Sequence, residues 1–205
     1  MEMDSVSDFS ADGSIEQYQQ SLKIDKAAGN LAGESVSLNN LGLEYHDRGQ
    51  WAEAIDCHQQ DIIICRQLND REGESAAFNN LGLVYYNQGN LEQSIDCHQK
   101  SLAICQELGD REGEGASFNN LGMIYRAQTK WDESIECYQQ NLTIERELGD
   151  AQRSWEGQIL NDLGKLYQAK GQLDRAIPLW QEALTKLPED AREYPIIQAQ
   201  LEQAI

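Results

Sequence analysis

The pentapeptide FNNLG occupies Phe78–Gly82 and returns unchanged at Phe118–Gly122, while LNNLG stands at Leu38–Gly42. The interval is 40 residues each time. A fourth, more divergent copy begins at Asn161, two residues later than this interval predicts. Upstream, Ser14–Asn30 matches only the second half of a copy. A chain that repeats itself at such a period is expected to be an array of structural repeats.

Each copy contains two helical patterns. In the first, Phe78, Leu81 and Tyr85 are spaced as one apolar stripe of an α-helix. Gly82 lies on that stripe and lets a neighbouring helix approach closely. The second pattern covers residues 91–108. Helices joined by short connections form antiparallel hairpins that must stack to bury their apolar faces. The sequence therefore predicts an all-α fold, an α-solenoid.

The connections carry their own signals. Gly89-Asn90 ends the first helix of its copy, as a turn does. Gly109 stands where a left-handed residue closes the second helix, and Asn69 and Gly149 occupy the same position in sister copies. Asp110 is placed to cap the helix that follows. We therefore expect short, well-defined turns between helices.

These motifs resemble the tetratricopeptide repeat, whose pattern is W-x2-L-G-x2-Y…A-x3-F…P. The fourth copy fits it best, with Leu160, Leu163, Gly164, Tyr167, Ala176, Trp180 and Pro188. The chain departs from the pattern because His58 and His98 fill the aromatic position and the period exceeds the usual value of about 34. The longer period and the LGDR–GE linkers are similar to those of kinesin light chains, Pins-type polarity adaptors and bacterial arrays. The resemblance implies a right-handed superhelix whose first helices line a concave groove.

The predicted organisation has three parts. Residues 1–13 form a flexible acidic N-terminus, residues 14–190 form the repeat array, and residues 191–205 form a C-terminal capping helix. Within the array we expect a half-repeat at 14–30 and repeats at about 34–70, 73–110, 113–150 and 154–188.

A candidate binding face lies beside the apolar stripe of the first helices. Each helical residue advances by about 100°, so Asn79 points roughly a quarter-turn away from that stripe. Carried across the copies, the groove implied by the resemblance is formed by Asn39, Leu43, His46, Asn79, Leu83, Tyr86, Asn119, Met123, Arg126, Asn161, Lys165 and Gln168. An asparagine amide both donates and accepts, so a ladder of them can hold an extended peptide backbone.

A structural role for these asparagines remains the alternative. They can be inherited with the repeat unit, or they can bond to neighbouring helices. The second asparagines are expected to face solvent or the junction between repeats; they are Asn40, Asn80 and Asn120.

Charge restricts the class of partner. The chain has 35 acidic and 16 basic residues, a formal net charge of −19. Nucleic acid and anionic membranes are therefore excluded as expected partners, since both require clustered lysine and arginine. A neutral to basic peptide is favoured. The acidic start has neither a basic nor an apolar segment of a secretory signal, so we expect a cytoplasmic protein.

No catalytic or cofactor constellation is recognisable. His58 and His98 take the place of rings in sister copies, which indicates packing, and no CxxC pair provides a zinc motif. We expect a non-catalytic scaffold without a cofactor. The alternative is a ligand-sensing module of a larger or neighbouring enzyme or signalling protein. The unpaired half-repeat suggests separation from a larger chain. We expect the next hairpin to bury part of its apolar surface and the remainder to be covered by Phe9 or by weak homodimerisation; the residues concerned are Ile15, Tyr18, Leu22 and Ile24.

Overall fold

The computed structural model describes residues 9–149 and 153–204, in which every regular element is an α-helix. The helices are α1 (Phe9–Ala28), α2 (Leu31–Asp47), α3 (Trp51–Leu68), α4 (Arg71–Gln88), α5 (Leu91–Leu108), α6 (Arg111–Ala127), α7 (Trp131–Leu148), α8 (Arg153–Ala169), α9 (Leu173–Lys186) and α10 (Tyr194–Ala204). The predicted all-α fold of stacked helix hairpins is confirmed. Residues 1–8 of the predicted flexible N-terminus lie outside the described residues, whereas α1 already begins at Phe9.

The chain divides into two compact units, Met1–Ile104 and Cys105–Ile205. In the first unit, α1 packs on α2, α2 on α3 and α3 on α4. In the second unit, α6 packs on α7, α7 on α8, α8 on α9 and α9 on α10. The helices named here therefore pack mainly on their neighbours in sequence, as expected for stacked hairpins.

The turns follow the predicted chemistry. The side chain of Asp110 accepts a hydrogen bond from the Gly113 amide at 3.0 Å, which confirms its capping role. Asp70 and Asn30 cap their helices in the same way. At the other helix ends, Asn69 has φ of 56° and Gly109 has φ of 70°. These left-handed residues end α3 and α5 and turn the chain into the next hairpin. The second helix α9 ends differently, at Leu187 with φ of −86° and extended backbone.

A glycine of each first helix lies against a fully buried ring of the following helix. A Cβ atom added at Gly82 would lie 2.7 Å from Nε2 of His98. The corresponding pairs are Gly42 with His58, Gly122 with Tyr138, and Gly164 with Trp180. All four rings are 0% exposed. The predicted close approach at Gly82 is thus confirmed, and it recurs in every complete hairpin.

The apolar core consists of clusters distributed along the array. Leu38 and Leu41 of α2 belong to the first cluster. Ile15, Tyr18 and Leu22 of α1 pack against that cluster and are half-buried, so the hairpin that follows covers part of this stripe, as expected. Ile24 alone of the four predicted residues is largely exposed, at 58%.

The C-terminal helix closes the cluster of the second unit. Ile197 of α10 is 0% exposed and belongs to the cluster built by α7, α8 and α9. Gln198, Glu202 and Gln203 are exposed. These polar residues give the described part of α10 the hydrophilic outer face that a capping helix needs.

His58 and His98 are core residues, as their position in the repeat predicts. The pKa of both imidazoles is lowered to about 4, by burial in each case and, at His58, to a smaller extent also by the charge of His46. Neither ring has a hydrogen-bond partner in the described part of the chain. Both are therefore neutral packing groups at neutral pH.

The glycine contact can be tested with Gly82→Ala. Helix propensity alone predicts a gain of about 1 kcal/mol in the free energy of unfolding. The clash with His98 predicts instead a loss of about 1–3 kcal/mol, measured by urea denaturation. In a His98→Ala background the ring is gone, so Gly82→Ala should no longer destabilise. A stabilising Gly82→Ala in the parent chain would contradict the packing argument.

The buried histidines predict acid sensitivity. Between about pH 6.5 and pH 4 the unfolded chain binds protons at His58 and His98 that the folded chain does not, so the free energy of unfolding falls as pH falls. Each histidine contributes about 1.4 kcal/mol per pH unit within this window. The His58→Phe/His98→Phe variant should show a flatter dependence in urea titrations. Parallel pH curves for the two proteins would contradict the expectation.

Candidate functional site

In the first unit, the predicted face is carried by α2 and α4. Asn39, Asn79, Leu83 and Tyr86 are half-buried, as is His46, and Leu43 is 39% exposed. The apolar stripe of these helices packs in the core, so this neighbouring stripe remains partly accessible. The residues that the sequence singles out here therefore share one face on each of the two helices.

Two hydrogen bonds join α2 to α4 on this face. Asn80 Nδ2 donates to Asn39 Oδ1 at 2.9 Å, and Asn87 Nδ2 lies 2.7 Å from His46 Nε2. Asn80 thus lies at the junction between hairpins, one of the two places expected for the second asparagines. The bond also gives Asn39 a local structural partner, which was the alternative to a binding ladder.

In the second unit, the equivalent face is carried by α6 and α8. Asn119 and Met123 are half-buried, and Gln168 is exposed. Asn161 is only 2% exposed and departs from the expected ladder, because α8 is covered by both α7 and α9. Its neighbour Asp162 takes the partly exposed position instead.

The two basic residues predicted for this face are engaged by one carboxylate. Arg126 Nη1 lies 3.2 Å from Asp162 Oδ1, and Lys165 Nζ lies 3.3 Å from the same oxygen. Asp162 therefore offsets positive charge on the face. An anionic ligand would have to compete with this carboxylate for both cations.

A pocket of about 410 Å³ opens between α6, the end of α7 and the start of α8. Asn119 and Met123, both predicted, line it together with Asn120. Trp155 and Leu148 add apolar wall and are 56% and 37% exposed. The second unit thus combines amide groups and apolar surface in one concave site, a combination typical of ligand pockets.

The carboxylates of the pocket give it a negative character. Glu112 and Glu145 line it together with Asp162, whose charge is offset by Arg126 and Lys165, and none of the described lining residues is a lysine or arginine. Burial raises the pKa of Glu145, and the charges of Glu112 and Glu156 raise it further. An additional positive group would relieve this repulsion.

Sequence reasoning missed Trp155, Glu145 and Asn141 as pocket residues. A signal existed for Trp155, because the fourth copy places it where Gly113 stands in the third copy. Asn141 and Glu145 lie on a second helix, α7, whereas all the predicted groove residues lie on first helices. No spacing rule would have identified them.

A second cavity, of about 390 Å³, lies in the first unit among α3, α4 and α5. None of the predicted groove residues lines it. Phe78 forms part of its wall, with the Arg66 guanidinium 5.5 Å and the Lys100 ammonium 5.4 Å from the ring centre. These contacts are of the cation–π type and stabilise the aromatic wall.

Among the described residues, no group of three or more histidine, cysteine, aspartate or glutamate side chains is arranged to hold a metal ion. None of the described helices has the length and apolar character needed to cross a membrane.

Comparison with known proteins identifies the repeat. A family model described as tetratricopeptide repeat matches residues 73–130 and 114–189, and another of the same description matches residues 36–72. No curated protein sequence matches the chain.

Several solved structures have a similar fold. BtubC (BKLC) from P. vanneervenii has a TM-score of 0.76 at 19% identity, covering 95% of this chain and 80% of its own. A putative kinesin light chain of P. anserina with nearly identical TPR-like repeats has a TM-score of 0.68 at 21% identity, covering 82% and 83%. MamA has a TM-score of 0.65 at 23% identity, covering 91% and 96%.

Proposed function

Because the chain belongs to the tetratricopeptide-repeat family, we propose that it is a non-catalytic scaffold that binds an extended or helical peptide of a partner protein. Repeats of this family mediate protein–protein interactions. The peptide would lie on the inner faces of the first helices. The observation that carries the proposal is the pocket of the second unit, which two predicted groove residues, Asn119 and Met123, line.

The wall of this pocket suits recognition of a peptide backbone. Asn119 and Asn120 are consecutive on α6 and both line it. An amide side chain can donate to a backbone carbonyl and accept from a backbone N–H, so such contacts do not depend on the peptide's side chains. Met123 and Trp155 supply the apolar surface on which a peptide side chain is anchored.

Charge favours a neutral to basic peptide. The chain as a whole carries a net charge of −19. On the proposed face, the charges of Arg126 and Lys165 are offset by Asp162, and the pocket itself is lined by carboxylates. Complementary charge steers association and disfavours acidic competitors.

Self-association through α1 has less support in the structure. Ile24 is exposed, but the shallow surface around it is formed by Glu16, Gln17, Gln20 and Ser21. One apolar side chain among polar ones is a small contact for a dimer. We therefore propose the first-helix face, and not α1, as the principal interface.

Peptide selection from a phage-displayed random library tests the proposal. Selected peptides should bind the parent chain and should lose tenfold or more in affinity for Asn119→Ala/Trp155→Ala. The loss is expected because this variant removes an amide and the exposed ring of the pocket, and fluorescence anisotropy measures it.

The matched control is Gln139→Ala/Thr143→Ala, two exposed positions on α7 outside the pocket. It should bind as the parent does, and both variants should retain parental helical circular dichroism. Failure to select any specific peptide, or equal affinity for the parent and the pocket variant, would contradict the proposed function.

A further inference from the structure

One position in the hairpins differs between the copies in a way that opens the pocket. In the first complete copy, Ser35 Oγ donates to Asp61 Oδ1 at 2.5 Å. In the second copy, Ser75 and Ser101 are joined through their hydroxyls at 2.9 Å. Both pairs span 26 residues and link a first helix to its second helix. The corresponding residues of the third copy are Gly115 and Asn141.

The third copy therefore has an acceptor without its donor. Gly115 has no side chain, and Asn141 is 4% exposed with no hydrogen-bond partner for Oδ1 among the described residues. A Cβ atom added at Gly115 would lie 2.9 Å from that oxygen. A glycine here keeps the space before the amide open. Buried polar groups are almost always paired, so this oxygen is available to a hydrogen-bond donor that enters the pocket.

The orphaned oxygen lies in the wall of the pocket, and a second one accompanies it. Glu145 Oε2 is buried and also lacks a hydrogen-bond partner within the described chain. The amide oxygen of Asn141 and the ionised carboxylate oxygen of Glu145 both accept hydrogen bonds. The group that satisfies them must be a donor, and the carboxylates around it favour a positive one.

Nearby basic side chains are already engaged elsewhere. Arg146 pairs with Glu156 at 2.9 Å and with Glu182 at 2.6 Å. Lys186 pairs with Glu156 at 2.7 Å. None of these three pairs includes Glu145 or Asn141. Arg146 and Lys186 therefore do not provide the positive charge that would face Asn141 and Glu145.

We propose that this pocket takes the cationic side chain, lysine or arginine, of the bound peptide. Its ammonium or guanidinium group donates to Asn141 Oδ1 and Glu145 Oε2, and its aliphatic stem packs on Met123 and Trp155. A long stem with a charged head matches a pocket that has apolar walls and buried acceptors. The inference rests on the proposed function and adds the chemistry that the peptide must present.

Titration of the isotope-labelled full chain with acetyl-Ala-Arg-Ala-amide tests this assignment by NMR. The resonances of the Trp155 indole and the Asn141 amide should shift, and the lysine analogue should do the same. The citrulline analogue, a neutral mimic of arginine, should bind at least tenfold more weakly, because it lacks the charge. Equal binding of the arginine and citrulline probes would overturn the proposal.

A variant that carries the serine pair of the second copy at positions 115 and 141 tests the same site from the side of the protein. Gly115→Ser/Asn141→Ser recreates the hydroxyl pair of Ser75 and Ser101, so it fills the space and removes the orphaned amide. It should lose probe binding tenfold or more while its unfolding midpoint stays equal or rises. Thr143→Ser, an exposed position on the same helix, is the control and should bind as the parent does. Undiminished binding by the folded serine-pair variant would overturn the proposal.

Glu145→Gln tests the pocket independently of the serine-pair variant. This variant keeps the shape and removes the charge, so the arginine probe should bind several-fold more weakly and the citrulline probe should be unaffected. Equal loss of both probes, or no loss, would contradict a cation site.

The two proposals fail in different ways. If library-selected peptides depend on Asn119 and Trp155 but tolerate replacement of their arginines and lysines by citrulline and norleucine, the cation site is wrong and the peptide scaffold stands. If no peptide is selected while the arginine probe still shifts the pocket resonances, the scaffold is wrong and the pocket is a site for small cations.

Discussion

The contact between a helix glycine and a buried ring determines the rest of this structure. The ring of His98 lies where a side chain on α4 would otherwise project, so a larger residue at position 82 requires the ring or the helices to shift. The same contact recurs with His58, Tyr138 and Trp180. It fixes the spacing and rotation of the helices in each hairpin, and it requires a ring that is entirely buried.

Fixing the rotation of the first helix also fixes which side chains remain accessible. With the glycine stripe turned toward the second helix, the positions a quarter-turn away are left half-buried. In the first unit, Asn39 and Asn80 use this face partly to join adjacent hairpins. In the second unit, the substitution of Gly115 for a serine opens a pocket beside Asn119 on the same face. One packing rule thus yields a structural surface in one unit and a candidate binding site in the other.

The sequence was sufficient for the features that depend on short-range periodicity. Helix positions, the capping by Asp110 and the burial of His58 and His98 follow from spacing within a single copy. The bond from Asn80 to Asn39 and the burial of Asn161 depend instead on how neighbouring hairpins meet. The unpaired amide oxygen of Asn141 reflects a change at two positions on different helices, residues 115 and 141. The spacing of residues along a single helix face does not reveal such a change.

The most direct test of the binding face is paramagnetic NMR with a selected peptide that carries a nitroxide at one end. If the peptide lies on the first helices, as proposed, the label should broaden resonances of α6 and α8 around Asn119, Met123 and Trp155, which line the pocket. Broadening confined to the exposed sides of α7 and α9, the second helices of the same hairpins, would contradict the account.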